Sequence, residues 1–290
     1  MTLADAVVGP FQEFAFMRRA LVGCFALALG AAPVGVFLML RRMSLMGDVM
    51  AHAILPGAAI GFLLAGLSLM AMTAGGLAAG LIVALLAGLV SRVTPLREDA
   101  SFAAFYLVSL AAGVLIVSMR GSSVDLMHIL FGTVLALDDA ALYLIAAIAT
   151  ITLFAMAAIY RGLVAECFDP GFLRAVGTSG PFVHLIFLAL VVLNLVGGFH
   201  ALGTLMVVGI MMLPAVAARF WAGETWSMIG VAFLIAIGAS YAGLLLSYYA
   251  NLPSGPAIIL MAGAFCGISV LAGGRDGVLV HLYRRGHLEA

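Results

Sequence analysis

From residue 20 to residue 273 the chain returns repeatedly to long apolar runs, broken only by short stretches carrying Arg, Gly or Pro. Such runs match the ~20 residues an α-helix needs to cross the hydrocarbon core of a bilayer. In lipid a backbone must satisfy its own hydrogen bonds, which leaves helices or closed barrels, and unalternated apolar runs of this length select helices. Nine candidate spans follow, at approximately 20–40, 49–69, 71–91, 101–119, 140–160, 181–198, 201–219, 228–249 and 255–273. The pairs meeting at 69/71 and 198/201 read as tight helical hairpins. Only 9% of residues are charged and 65% are hydrophobic, whereas a soluble domain carries roughly 25% charged residues. The expected class is all-α: a polytopic membrane helical bundle of about nine transmembrane helices.

Orientation follows from arginine. With the N-terminus outside, Arg41, Arg42, Arg92, Arg97, Arg161, Arg174, Arg219, Arg275, Arg284 and Arg285 face the cytoplasm, and only Arg18, Arg19 and Arg120 face out. That is a strong positive-inside bias, giving an N-out, C-in, multi-pass membrane protein. Residues 1–17, with Leu3, Val7, Phe11, Phe14 and Phe16 among polar neighbours, read as an interfacial segment. Residues 18–275 form the transmembrane domain and 276–290 a cytoplasmic tail. The first span ends at Arg41-Arg42 rather than at a cleavage site, so it is read as a span and not a signal peptide.

Charge also excludes functions. Thirteen basic residues balance 13 acidic ones, so nucleic acid is not an expected partner. All the basic residues are Arg, and without Lys there is no Walker A phosphate loop. The chain is therefore read as no enzyme and as having no ATPase site of its own; ATP-driven work would fall to another subunit. Neither HExxH nor GxSxG occurs, and Cys24, Cys167 and Cys266 form no CxxC pair. Sixteen methionines are scattered along the chain, with Met43 and Met46 the one MxxM pair, which suits packing rather than copper(I). Gly57/Gly61, Gly76/Gly80 and Gly263/Gly267 are spaced for close helix packing.

Ionisable side chains within spans cost at least ~2.5 kcal/mol near the centre on insertion scales, so each one requires a reason. Asp48 and His52 are four residues apart, which on a helix puts carboxylate and imidazole on one face, able to converge on a divalent first-row metal. The same spacing also allows Asp48 to N-cap the second span, with His52 at headgroup level. Pro56-Gly57, one turn on, marks a kink. Between the fifth and sixth spans runs Glu166-Cys167-Phe168-Asp169-Pro170-Gly171-Phe172-Leu173-Arg174-Ala175-Val176-Gly177. Asp169 suits an N-cap, Pro170 the first helical position and Gly177 a helix end. The result is a cytoplasmic helix of about seven residues, either an ordinary capped loop or a docking helix showing Phe172, Leu173 and Val176 beside Arg174. His200 sits at an outer turn, as a weak metal ligand or an interfacial histidine. Asp125, His128, Asp138 and Asp139 make an acidic outer segment that reads as a solvated face. Asn194, inside the sixth span, is expected to bond another helix.

Met43-Ser44-Leu45-Met46-Gly47-Asp48 through His52 to Pro56-Gly57 resembles the signature of the zinc/manganese/iron permeases of ABC importers. Phe168-Asp169-Pro170 through Arg174-Ala175-Val176-Gly177 resembles their coupling helix. Phe131-Gly132-Thr133-Val134-Leu135, and Gly203-Thr204-Leu205-Met206-Val207 through Pro214-Ala215-Val216-Ala217, resemble two further family segments. The resemblance covers most of residues 18–273. It implies a type II ABC importer permease fold, working as a homodimer with cytoplasmic ABC ATPase subunits and an extracytoplasmic metal-binding protein. It implies that Asp48 and His52 line the metal path, and that Glu166, Asp169, Pro170, Phe172, Leu173, Arg174 and Gly177 couple it to the ATPase. No cofactor is expected to be bound permanently; a divalent metal is the transported substrate, zinc placed first and manganese next. The rivals are a permease for a chelate such as haem or a siderophore, which a paired Asp/His disfavours, and a gradient-driven secondary cation transporter, which needs no docking helix.

Overall fold

In the computed structural model the residues described are 3–66, 68–119, 134, 137–168, 179–275 and 277–280. Eleven helices run through them: α1 (Leu3–Glu13), α2 (Ala15–Leu40), α3 (Met46–Ala53), α4 (Leu55–Ala65), α5 (Leu69–Val93), α6 (Glu98–Met119), α7 (Asp139–Phe168), α8 (Ser179–Leu202), α9 (Thr204–Arg219), α10 (Thr225–Ala250) and α11 (Ser254–Ala272). No strand occurs among the described residues, so the expected all-helical class is the one found.

Eight helical stretches are long and apolar enough to cross a membrane, α3 and α4 counting together as Met46–Ala65. The expected ninth, 201–219, is shorter than foreseen. Gly203 takes φ 85° and cuts the apolar run, so α9 begins only at Thr204 and has 16 residues. At 1.5 Å per residue that is ~24 Å, less than the ~30 Å hydrocarbon core.

Helices α2 and α8 form the centre, 78% and 72% buried over their apolar windows. Against α2 pack α7, α9 and α10; against α8 pack α5 and α7. The outer helices turn large apolar side chains outward, among them Ile82 and Leu89 of α5, Val108 of α6, Leu234 of α10 and Leu260 of α11. Where lipid is the solvent, such exposure carries no hydrophobic penalty and association rests on close packing and polar bonds. Asn194 of α8 supplies one such bond, donating to Thr152 Oγ1 of α7 at 2.8 Å as well as to its own helix at Leu190 O.

The tightest approach is between α4 and α5. A Cβ on Gly57 would overlap the carbonyl oxygen of Gly75, and one on Gly61 that of Ala71, so the two backbones touch directly. The other expected glycine pairs differ. Gly76 and Gly80 receive the side chains of Ile54 and Val192, whereas a Cβ on Gly263 or Gly267 would meet nothing within 4 Å among the described residues.

The N-terminal segment is more firmly held than an interfacial reading suggests. Phe11 is buried and stacks on Tyr241 at 4.8 Å, and the Tyr241 hydroxyl donates to Val7 O at 2.8 Å. Arg18 closes the end of α1 by donating to Phe11 O and Gln12 O.

Helix α2 ends in a turn that sets the direction of α3. The Met43 amide donates to Leu38 O at 2.9 Å and the Arg42 amide to Met39 O at 3.1 Å, a Schellman closure. The left-handed position this requires is held by Arg42, φ 59°, where glycine is the usual occupant.

Two stability predictions follow from these contacts. Gly57→Ala is expected to lower the thermal midpoint of the detergent-purified protein, at a cost of about 1–3 kcal/mol or more, while Gly88→Ala, with open space around it, leaves it unchanged; parallel melting curves test the pair. Arg42→Gly is expected to raise that midpoint by relieving ~1 kcal/mol of left-handed strain, and Arg42→Val to lower it; equal midpoints for the three proteins would count against the strain.

Candidate metal path and coupling site

Helix α3 turns Met46 and Met50 into the core, with Ala53 behind them. Half a turn away, Asp48 and His52 occupy the other face. Asp48 Oδ1 and His52 Nε2 lie 3.7 Å apart, with the carboxylate 67% exposed and the imidazole 28%. That separation exceeds a hydrogen bond. It is close to the ~3.4 Å expected when one oxygen and one nitrogen share an ion at ~2.1 Å with tetrahedral angles. The rear nitrogen, His52 Nδ1, is buried without a hydrogen-bond partner among the described residues, and the Tyr106 ring of α6 stands 6.2 Å from the imidazole. The alternative role for Asp48 is not realised. It lies inside the first turn of α3, the cap position is Leu45, and no side chain caps the helix.

The expected kink falls at Ile54, between α3 and α4. Pro56 has no amide hydrogen to give to its own helix. Helix α6 braces the break: the Ser109 hydroxyl donates to Ala53 O at 2.9 Å, and Gly113 lets α6 lie against Pro56. Helical bonding resumes with the Ala58 amide donating to Ile54 O at 3.1 Å. The turn after α2 and this braced break therefore hold the eight residues that present Asp48 and His52.

Two ligands do not complete a metal shell. No group of three or more His, Cys, Asp or Glu residues that could hold a metal occurs among the described residues. The Asp48 carboxylate faces out of the chain, with the imidazole partly exposed beside it. His200 lies in the last turn of α8, but its side chain is outside the described residues, as are Asp125 and His128. Of the outer acidic residues, Asp138 caps α7 by accepting from the Ala141 amide at 2.8 Å, and Asp139 pairs with Arg19 at 3.3 Å.

Glu166 is not presented at a surface. Its Oε1 accepts from Arg41 Nη2 at 2.8 Å and lies 3.4 Å from His184 Nδ1. The same Arg41 nitrogen also contacts His184 Nδ1, and the guanidinium sits 5.2 Å from the centre of the Phe187 ring. The side chains of Arg41, Glu166 and His184 are 9%, 14% and 9% exposed. Breaking such a buried pair by deleting one partner typically costs ~3–5 kcal/mol, because the other charge is stranded. Sequence reasoning used Arg41 only to orient the chain and passed over His184. The usable signal is that the alternating topology puts a Glu, an Arg and a His at span ends on one side, where burial demands pairing. The remaining coupling residues named from the sequence, Asp169, Pro170, Phe172, Leu173, Arg174 and Gly177, lie outside the described residues.

A family model described as the ABC 3 transport family matches residues 13–272. The chain is 31% identical over 258 residues to the manganese import system permease protein ScaB of Streptococcus parasanguinis, spanning 89% of this chain and 91% of that protein. It is 31% identical over 268 residues to the manganese transport system membrane protein MntC of Listeria monocytogenes, spanning 92% and 94% respectively. Among solved structures, PsaBC from Streptococcus pneumoniae in complex with Fab matches with a TM-score of 0.82 and 30% identity, covering 95% of this chain and 98% of that one.

Proposed function

Because the chain belongs to the ABC 3 transport family, we propose that it is the membrane-spanning permease subunit of an ABC importer that carries a divalent transition metal into the cell. The observation that carries this reading is the outward-facing Asp48–His52 half-site, with its carboxylate and imidazole 3.7 Å apart. Two copies related by a twofold axis bring two such pairs together, and a closed cyclic dimer is the commonest way for one chain to complete a shared site. The resulting two oxygens and two nitrogens suit manganese or zinc, with water filling any remaining positions. Manganese takes first place over zinc, because the relatives quoted above carry manganese in their names.

A sparse ligand set suits transport. A site that holds its ion with a full complement of strong ligands releases it slowly, whereas conduction needs binding weak enough to leave. The metal arrives from an extracytoplasmic binding protein. The energy comes from separate ATPase subunits, since a chain without Lys builds no Walker A loop. Asp169 through Gly177 dock on those subunits through Phe172, Leu173 and Arg174. The bundle 18–275 sits in the bacterial plasma membrane with its N-terminus outside and residues 1–17 at the outer interface; the short α9 is the ninth crossing, which brings the tail 276–290 to the cytoplasm.

The deciding experiment is uptake by proteoliposomes holding the permease with its ATPase subunits and binding protein, with manganese and zinc supplied in parallel, with and without ATP. ATP-dependent accumulation of manganese ahead of zinc is the expected outcome; uptake that follows an ion gradient and ignores ATP overturns the importer reading. In the same assay Asp48→Ala and His52→Ala, at normal expression, are expected to lose at least ~90% of uptake, about 1.4 kcal/mol or more in the transport barrier; wild-type rates in both would remove them from the path. Phe172→Asp and Arg174→Glu are expected to abolish co-purification of the ATPase subunits while leaving membrane insertion intact, and unchanged co-purification would refute the docking role.

A further inference from the structure

The segment between Glu166 and His184 is gripped on both flanks by a single side chain. Glu166 lies three residues before Asp169, at the end of α7, and His184 lies in the second turn of α8. Both contact Arg41 Nη2. Arg41 in turn is the last residue before the turn that leads into α3, seven residues ahead of Asp48. We infer that Arg41, with Glu166 and His184, is the joint that ties displacement of the end of α7 against the start of α8 to the orientation of the helix bearing Asp48 and His52. This rests on the importer reading and deepens it, naming the positioning residues between its two working parts.

The hydrogen bonding of the cluster gives the joint two arrangements. In the structure one nitrogen, Nη2, serves both Glu166 Oε1 and His184 Nδ1, while Arg41 Nη1 and Glu166 Oε2 are buried and have no partner among the described residues. An unused donor and an unused acceptor on two groups already in contact define the alternative: a two-point fork, Nη1 to Oε2 and Nη2 to Oε1, which satisfies both and withdraws the guanidinium from His184. The change needs only a rotation of the guanidinium against Glu166. The Phe187 ring lies beside the guanidinium, 5.2 Å from centre to Cζ. One arrangement binds Arg41 to both flanks of the segment and the other to the α7 flank alone. Displacement of α8 relative to α7 selects between them, and the end of α2 follows. A packed element with two discrete states biased from two sites is the physical requirement for coupling over a distance.

Lysine keeps the charge of arginine and the single ion pair but cannot form the planar fork, so Arg41→Lys separates the two roles. The test uses the full complex in proteoliposomes, with permease, ATPase subunits and binding protein, and manganese as the probe. Metal accumulated per ATP hydrolysed is measured beside complex assembly and melting temperature. Arg41→Lys is expected to assemble and to melt near wild type, with metal moved per ATP reduced by about tenfold and stimulation of ATP hydrolysis by the loaded binding protein lost. His184→Gln, which keeps a hydrogen-bonding side chain at that position, is expected to lower the same ratio and stands in if the lysine variant does not assemble. A wild-type ratio of metal to ATP in either assembled variant reduces the cluster to a structural ion pair and overturns the joint alone. Absence of ATP-driven uptake by the wild-type complex overturns the importer reading, and the joint with it.

Discussion

Hydrocarbon offers no partner to a peptide N–H, a carbonyl or a charge, and this one deficit organises the molecule. It enforces helices throughout the described bundle. It also explains why polar groups inside appear in contacts rather than singly: Asn194 with Thr152, Ser109 with the Ala53 carbonyl at the break before Pro56, Arg41 with Glu166 and His184. Since lipid tails are as apolar as the helices, the core is held by proximity. The direct backbone approach of α4 and α5 at Gly57 and Gly75 is its strongest expression.

Against that background His52 stands out. Its ring nitrogen Nδ1 is buried without a partner among the described residues, its other nitrogen points toward a carboxylate beyond hydrogen-bond range, and both sit on a helix only eight residues long. The contrast with the Arg41 cluster is instructive. There the opposite charges meet one another inside one chain, whereas the Asp48 carboxylate of α3 is turned outward.

The spans were readable from sequence because a twenty-residue apolar run has few other uses, and the Asp48–His52 face because an i, i+4 spacing is a local property of a helix. The kink at Pro56 was readable for the same reason. What escaped was set by geometry that no local pattern records. Gly203 looks like one glycine among 34 until its φ of 85° shows that it shortens α9. The outward placement of Gly263 and Gly267 depends on how α11 is rotated, and their spacing matches that of pairs that do pack. Arg41 meets Glu166 across 125 residues of chain and His184 across 143, and the docking of Val7 and Phe11 on Tyr241 joins the two halves of the sequence in the same way.

The contact between α4 and α5 has a mechanical consequence. Where Gly57 meets Gly75 and Gly61 meets Ala71, no side chain lies between the backbones, so α4 and the first two turns of α5 cannot slide or tilt without losing van der Waals contact and behave as one stiff unit. Helix α3 is attached to the rim of that unit at Ile54 and to the rest of the chain by the five residues from Arg41 to Leu45. It has, in effect, one hinge and one tether. A swing of Asp48 and His52 about Ile54 must free the Ser109 hydroxyl from Ala53 O and lift Met46 and Met50 from their seats in the core.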